Sequence, residues 1–228
     1  MELVGELAAA LTAAERDADV RCVVITGDDK AFSAGADIAD QNRHGAAVAF
    51  SPERLEAWDR IQGFGKPTVA AVNGYALGGG SELMMLLDIV IAGENAIFGQ
   101  PEINLGIFPG DGATQRLPRR IGVGNALRYI LTGEHYNARR ALELGLVSEV
   151  VPSDQTVRRA LDIAEQIASK SPLAVLLARQ SIRDGARLPE TEGLLLERKN
   201  LALAFGSEDQ KEGMAAFVEK RKPVFKGR

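Results

Sequence analysis

KPTVAAVNGYALGGGSELMMLLDIVIAGENAIFGQPEINLGIFPGDGATQR, residues Lys66–Arg116, joins a strand pattern, a glycine cluster and two acids in one segment. Thr68-Val-Ala-Ala-Val72 is a continuous apolar run and predicts a buried strand. Asn73-Gly74 ends it. Gly78, Gly79 and Gly80 then open a helix at Ser81-Glu82-Leu83-Met84-Met85. Glycine has no Cβ, so backbone amides here can approach a ligand closely. A helix start also aims unpaired amides and a positive dipole end at the same place, which seats a developing negative charge. Glu82 falls in the first helical turn, and Glu102 follows the Phe98-Gly99-Gln100-Pro101 link. A donor pocket beside two acids fits acid–base chemistry on a polarised carbonyl.

Length and composition bound what surrounds this segment. A chain of 228 residues can bury a sizeable core. At 46% hydrophobic and 25% charged it has the composition of an ordinary soluble protein. A net charge of −4 gives no reason to expect nucleic-acid binding. The single cysteine, Cys22, lies in Val20-Arg-Cys-Val-Val-Ile25 and reads as a small core hydrophobe rather than a reactive thiol. It excludes an intrachain disulfide framework and fits a cytoplasmic or matrix-like compartment, the cytoplasm being the location expected. His44 and His135 cannot supply a histidine metal cluster, and neither CxxC nor HExxH occurs. Asp88 and Gly93-Glu94 interrupt the longest apolar stretch, so no membrane association is expected.

Helical spacing covers residues 2–17, and Val20–Thr26 follows as an apolar strand. Phe32-Ser-Ala-Gly-Ala-Asp37 reads as a tight small-residue turn. Residues 39–51 have no clean period and read as a loop or loose helix, with His44 a solvated loop residue. A helix resumes at Pro52–Phe64, with Leu55, Trp58 and Ile61 on one face. Ile89–Ile91 and Ala96–Phe98 are short strands. Pro109-Gly-Asp-Gly112 is a turn into Ala113–Leu117, without the Lys-Ser/Thr of a P-loop. Gly122-Val-Gly124 is a turn between helices. Helices at 126–131 and 138–144 and a strand at 146–151 complete a core over 1–155. Beyond it, helices at 156–169, 172–184, 189–204 and 208–220 form a helical region over 156–228. Periodicity alone therefore gives an α/β body followed by a helical tail.

GYALGGGSEL, FGQPEINLGIFPG and TQRLPR resemble the crotonase superfamily, and most closely its enoyl-CoA hydratases. Ala31-Phe-Ser-Ala-Gly-Ala-Asp-Ile38 and Glu212-Gly-Met-Ala-Ala-Phe-Val-Glu-Lys-Arg221 match the same family, so the resemblance runs along nearly the whole chain in order. It implies a spiral of ββα units with a C-terminal helical trimerisation region, and a homotrimer or dimer of trimers. It implies oxyanion-hole amides at Ala34 and Gly79. Coenzyme A contacts are implied along Ala34, Gly35, Ala36, Asp37 and Ile38, and at Phe217 and Lys220, often on a neighbouring subunit. The segment 39–51 would line the acyl pocket, with Trp58 as packing or pocket lining. Members normally begin with a strand hairpin before the first helix. Its absence here is expected to leave a sheet without an edge strand.

The implied substrate is an acyl-CoA thioester, and the coenzyme enters as part of it; no metal or redox cofactor is implied. Hydration of a 2-enoyl thioester would place water between Glu82 and Glu102. Glu82, favoured as an anion by the helix dipole, would be the base. Glu102, buried among Ile103, Leu105, Ile107 and Phe108, would be the proton donor. Two alternatives stand beside hydration. One is an enoyl- or dienoyl-CoA isomerase of the same family, with Asp111 near the position of a second acid. The other is a subunit that binds acyl-CoA without turnover.

Overall fold

A computed structural model describes residues 2–45, 47 and 50–228. It begins with helix α1 (Glu2–Arg16), then strands β1 (Val23–Thr26) and β2 (Ala31–Ser33) and helices α2 (Ile38–His44) and α3 (Pro52–Gly63). The next pair of strands, β3 (Thr68–Val72) and β4 (Tyr75–Leu77), leads into the short helix α4 (Gly79–Met84). A third pair, β5 (Ile89–Gly93) and β6 (Ile97–Gly99), leads through a 3-10 turn (Pro101–Leu105) into α5 (Ala113–Ile121) and α6 (Val123–Thr132). Then come β7 (His135–Asn137), α7 (Ala138–Glu143) and β8 (Glu149–Val151). The last four helices are α8 (Thr156–Ala168), α9 (Pro172–Gly185), α10 (Glu190–Phe205) and α11 (Glu208–Val218).

The topology is a coil. One sheet has the order β1-β3-β5-β8 and the other β2-β4-β6-β7, so each of the first three strand pairs adds one strand to each sheet before a helix returns the chain, and β7 and β8, with α7 between them, complete both sheets. The first sheet is parallel throughout, with Val23 opposite Thr68, Val69 opposite Ile89 and Ile91 opposite Glu149. In the second, β2, β4 and β6 are parallel and β7 closes antiparallel on β6. Helical returns of this kind are what parallel pairing requires.

β3 shows why its sequence is apolar without alternation. All five of its residues are buried. Val69 and Ala71 pack with Ile91 against Ala160 and Ala164 of α8, whereas Ala70 and Val72 join the inner core around Met84, Phe98 and Leu117. A strand covered on both faces has no solvent side to alternate toward, and its one polar residue, Thr68, is hydrogen-bonded to Asp88. Cys22 is half-buried beside the α8 layer, and burial, with Asp88 adding, pushes its thiol up to about 11, in keeping with a packing residue.

Asp88 ties the tail to this body. Its Oδ2 accepts from Thr68 N at 2.9 Å, from Thr68 Oγ1 at 3.0 Å and from Arg179 Nε of α9 at 2.8 Å. Its Oδ1 accepts from Arg183 Nη1 at 3.2 Å. A charge that would otherwise end a buried run is thereby satisfied on four sides.

Several expected boundaries move. Strand character is confined to Val23–Thr26 and Glu149–Val151, shorter than the predicted 20–26 and 146–151. Phe32 and Ser33, read as the start of a turn, belong to the strand Ala31–Ser33 paired with β4. Part of the predicted loop is the helix α2, capped by Asp37 Oδ1 accepting from Asp40 N at 3.1 Å; residues 46, 48 and 49 of that prediction lie outside the described residues. On α3 the buried residues are Ala57 and Ile61, while Leu55 turns outward. No helix among the described residues is long and apolar enough to cross a membrane.

Candidate active site

Two strand ends meet at the glycine cluster. A methyl group built on Gly80 would lie 2.0 Å from Ser33 O, so only glycine lets α4 start against the end of β2. Gly35, at φ +95, closes the same seam from the other side: a methyl there would lie 2.9 Å from Leu77 O and 3.4 Å from Gly79 N. This close approach brings the Ala34–Ala36 backbone alongside the Gly79 amide. The run Ala34–Ile38 is exposed and open to a ligand.

The two acids enter from successive turns of the coil. Glu82, on α4, is 1% exposed, and its Oε1 accepts from Asp111 N and Ala113 N, both at 2.8 Å. Glu102, in the 3-10 turn, lies against Gly78: a methyl on Gly78 would be 3.1 Å from Glu102 Oε1. Its Oε2 is buried without a hydrogen-bond partner among the described residues. Burial pushes the Glu82 carboxyl up to about 7; the Asp111 and Glu102 charges add to this, and the amide bonds oppose it. Burial likewise raises Glu102, with Asp111 adding.

A third carboxylate completes the cluster. Asp111 Oδ2 is 3.8 Å from a methyl built on Gly79 and accepts from Arg54 Nη2 of α3. The Asp111 carbonyl accepts from Arg116 Nη1, whose guanidinium lies close under Gly112, a glycine at φ +114. The turn 109–112 is thus bound to Glu82, Arg54 and Arg116 at once.

The family model described as enoyl-CoA hydratase/isomerase matches residues 1–228. The chain belongs to the enoyl-CoA hydratase/isomerase family. A 2,3-dehydroadipyl-CoA hydratase of Escherichia coli (strain K12) is 47% identical, over 100% of this chain and 88% of that protein. A mitochondrial enoyl-CoA hydratase of Pongo abelii is 45% identical, over 98% of this chain and 77% of that one. Among solved structures of the family, an enoyl-CoA hydratase from Bacillus anthracis superposes with a TM-score of 0.93 at 40% identity, covering 100% of this chain and 89% of that one. One from Geobacillus kaustophilus gives 0.94 at 43% identity, covering 99% and 88%. The fold is therefore the crotonase fold of this enoyl-CoA hydratase/isomerase family.

Within that family frame, Gly79, Glu82, Glu102 and the Ala34–Ile38 segment come together. Phe217 and Lys220 lie on the tail; Phe217 is 86% exposed, and Lys220 holds the left-handed region at φ 57 where glycine is usual. Two expectations about the acids need correction. The dipole of α4 does not keep Glu82 anionic at low pH: burial outweighs a helix of only 6 residues. Nor are most of the apolar residues expected around Glu102 themselves buried: Leu105, Ile107 and Phe108 are 51%, 48% and 69% exposed and Ile103 is half-buried, although burial does raise Glu102. Its walls come from the glycine turn instead. Arg54 carried no sequence signal, because its partner Asp111 is distant in the chain.

Proposed function

We propose that the chain is an enoyl-CoA hydratase, a lyase that adds water across the 2,3-double bond of a 2-enoyl-CoA thioester. The single observation carrying this is the confluence of Glu82, buried and raised to about 7, and Glu102, half-buried and raised by burial, beside the seam between Gly35 and Gly79. Hydratase relatives at 45–47% identity support the same reaction.

In this reading the thioester oxygen sits between the Ala34 and Gly79 amides, which stabilise the enolate formed as hydroxide adds to C3. Water is held between the two glutamates. Glu82, fixed by two amide donors that favour its anion, takes a proton from the water. Glu102, with one oxygen free of partners, delivers a proton to C2, giving the 3-hydroxyacyl thioester. Ala34–Ile38 of one subunit and Phe217 and Lys220 of a neighbour would bind the coenzyme, which enters as part of the substrate. Exposed apolar residues along α9–α11 support a homotrimer or a dimer of trimers. An unpaired Cys22 supports a reducing compartment such as the cytoplasm. The isomerase alternative needs Asp111 as a proton carrier, and its carboxylate is engaged with Arg54.

The test is hydration of crotonyl-CoA by the purified protein and by Glu82→Gln and Glu102→Gln. Each substitution is expected to lower kcat by at least about 100-fold, in the range general acid–base groups contribute. Near-wild-type turnover by either variant overturns the two-carboxylate scheme. Faster conversion of a 3-enoyl-CoA than hydration of its 2-enoyl isomer replaces it with isomerisation.

A further inference from the structure

We propose that Arg120 is a positioning residue for the reaction: from α5 it holds the turn that ends α4, and so fixes the Gly79 amide and the Glu82 carboxylate at the other end of that helix. The inference rests on the hydratase reading above and adds to it a residue that bonds neither glutamate.

The turn after α4 has three consecutive carbonyls to satisfy. Leu86 N donates to Leu83 O at 3.0 Å and Leu87 N to Met84 O at 3.1 Å, which closes the helix, and Met85, Leu86 and Leu87 are all buried. Buried carbonyls beyond a helix end need donors from elsewhere. Arg120 Nη2 donates to Met85 O at 2.9 Å and to Leu87 O at 3.1 Å. Arg183 Nη2 of α9 donates to Leu86 O at 3.3 Å, between them. A cation here also complements the negative end of the helix dipole.

Otherwise the corner is an unfavourable one for a guanidinium. Burial lowers Arg120 from its ordinary value; the Arg183 charge adds to this, and Asp88 opposes it. Among the described residues its hydrogen bonds go to these carbonyls rather than to an acid.

These bonds join α4 and α5 at both ends. At the leading end Glu82 accepts from the Asp111 and Ala113 amides, where α5 begins. At the trailing end Arg120, one residue before the end of α5, takes the turn. With only 6 residues, α4 is about 9 Å long. A shift at its trailing end turns on the close Gly80–Ser33 contact and reaches Gly79 and Glu82, which flank it. Misplacement by about 1 Å at reacting groups costs on the order of 100-fold in rate. Weaker amide bonds also leave Glu82 less favoured as an anion.

The test is the pH profile of crotonyl-CoA hydration by wild type, Arg120→Met and Arg120→Lys. Arg120→Met removes the donors and should lower kcat/KM by about tenfold or more. It should also move the acid limb, where Glu82 takes up its proton in the free enzyme, to higher pH by about half a unit or more. Arg120→Lys keeps a cation on a shorter reach; it should move the limb the same way by less, and it decides the matter if Arg120→Met does not fold. Loss of folded molecules alone scales the whole profile and leaves the limb in place. A lowered profile with an unmoved limb therefore overturns the inference, as does a folded Arg120→Met protein within threefold of wild type. In both cases an active wild type leaves the hydratase reading standing. A wild-type protein that hydrates nothing removes both.

Discussion

Glu82 pairs a functional demand with a stability cost. Its carboxyl is moved from 4.5 to about 7 by burial, so the folded chain binds this proton more tightly than the unfolded chain. The sign follows: the penalty is absent below about pH 4.5, grows as pH rises, and is complete above about pH 7. Its size is on the order of 3 kcal/mol, at roughly 1.4 kcal/mol per pH unit. Glu82→Gln keeps an oxygen for the Asp111 and Ala113 amides and removes the buried charge. Chemical denaturation should find this variant about 1–3 kcal/mol more stable than wild type at pH 8, the gain shrinking toward zero near pH 5. Equal stability at both pH values would mean that Glu82 is not desolvated as described. The residues themselves were legible before the fold was. Glu82 and Glu102 stand in motifs that announce them, whereas Arg54 becomes visible only when α3 is laid against the turn at Asp111.

Among the elements, α9 depends most on a single residue of the body. Asp88 joins the N-terminal end of β3 to Arg179 and Arg183 on α9, with side-chain exposures of 16%, 15% and 25%. Asp88→Ala strips two partly buried guanidinium groups of their shared anion and frees the Thr68 amide. Breaking a buried pair from one side costs about 3–5 kcal/mol, which for a chain of this size corresponds to a drop in Tm of roughly 6–20 °C. Thermal unfolding followed by circular dichroism would measure it, and a drop below about 2 °C would show that the network is ornamental. Helices of this chain are readable because their apolar spacing repeats over several turns. The three-residue strands β2, β4 and β7 are not, since so short a run shows no alternation and their pairing partners are remote in sequence.

At the scale of the whole molecule, a second cleft opens away from the glutamates. It encloses about 900 Å³ between the body and α9, with Leu86, Leu87 and Ile182 on its walls and Arg116, Arg120 and Arg187 around them. Along α9 and α10 Ile182, Leu195, Leu201 and Phe205 are 72%, 63%, 55% and 54% exposed, apolar side chains that a lone subunit would leave in water. Light scattering on the eluting protein should therefore give three or six times the 24.4 kDa chain mass. Ile182→Glu combined with Leu195→Glu should release single chains of lower Tm. A wild-type protein that elutes as a monomer at micromolar concentration ends the trimer proposal. Nothing in periodicity foretold the coil itself. Alternation of strands between two sheets is a property of pairing, and only the resemblance supplied it in advance.

That coil has a consequence for how such a molecule can change. Ala34, Gly79 with Glu82, and Glu102 with Asp111 belong to three consecutive windings, each contributing one ledge to the same side of the barrel-like stack. Lengthening the loop that leaves one ledge shifts no strand in the others, because every winding is registered to its neighbours through its own two strands. New acyl preferences can thus be written into a single winding while the remaining two keep the reaction geometry intact.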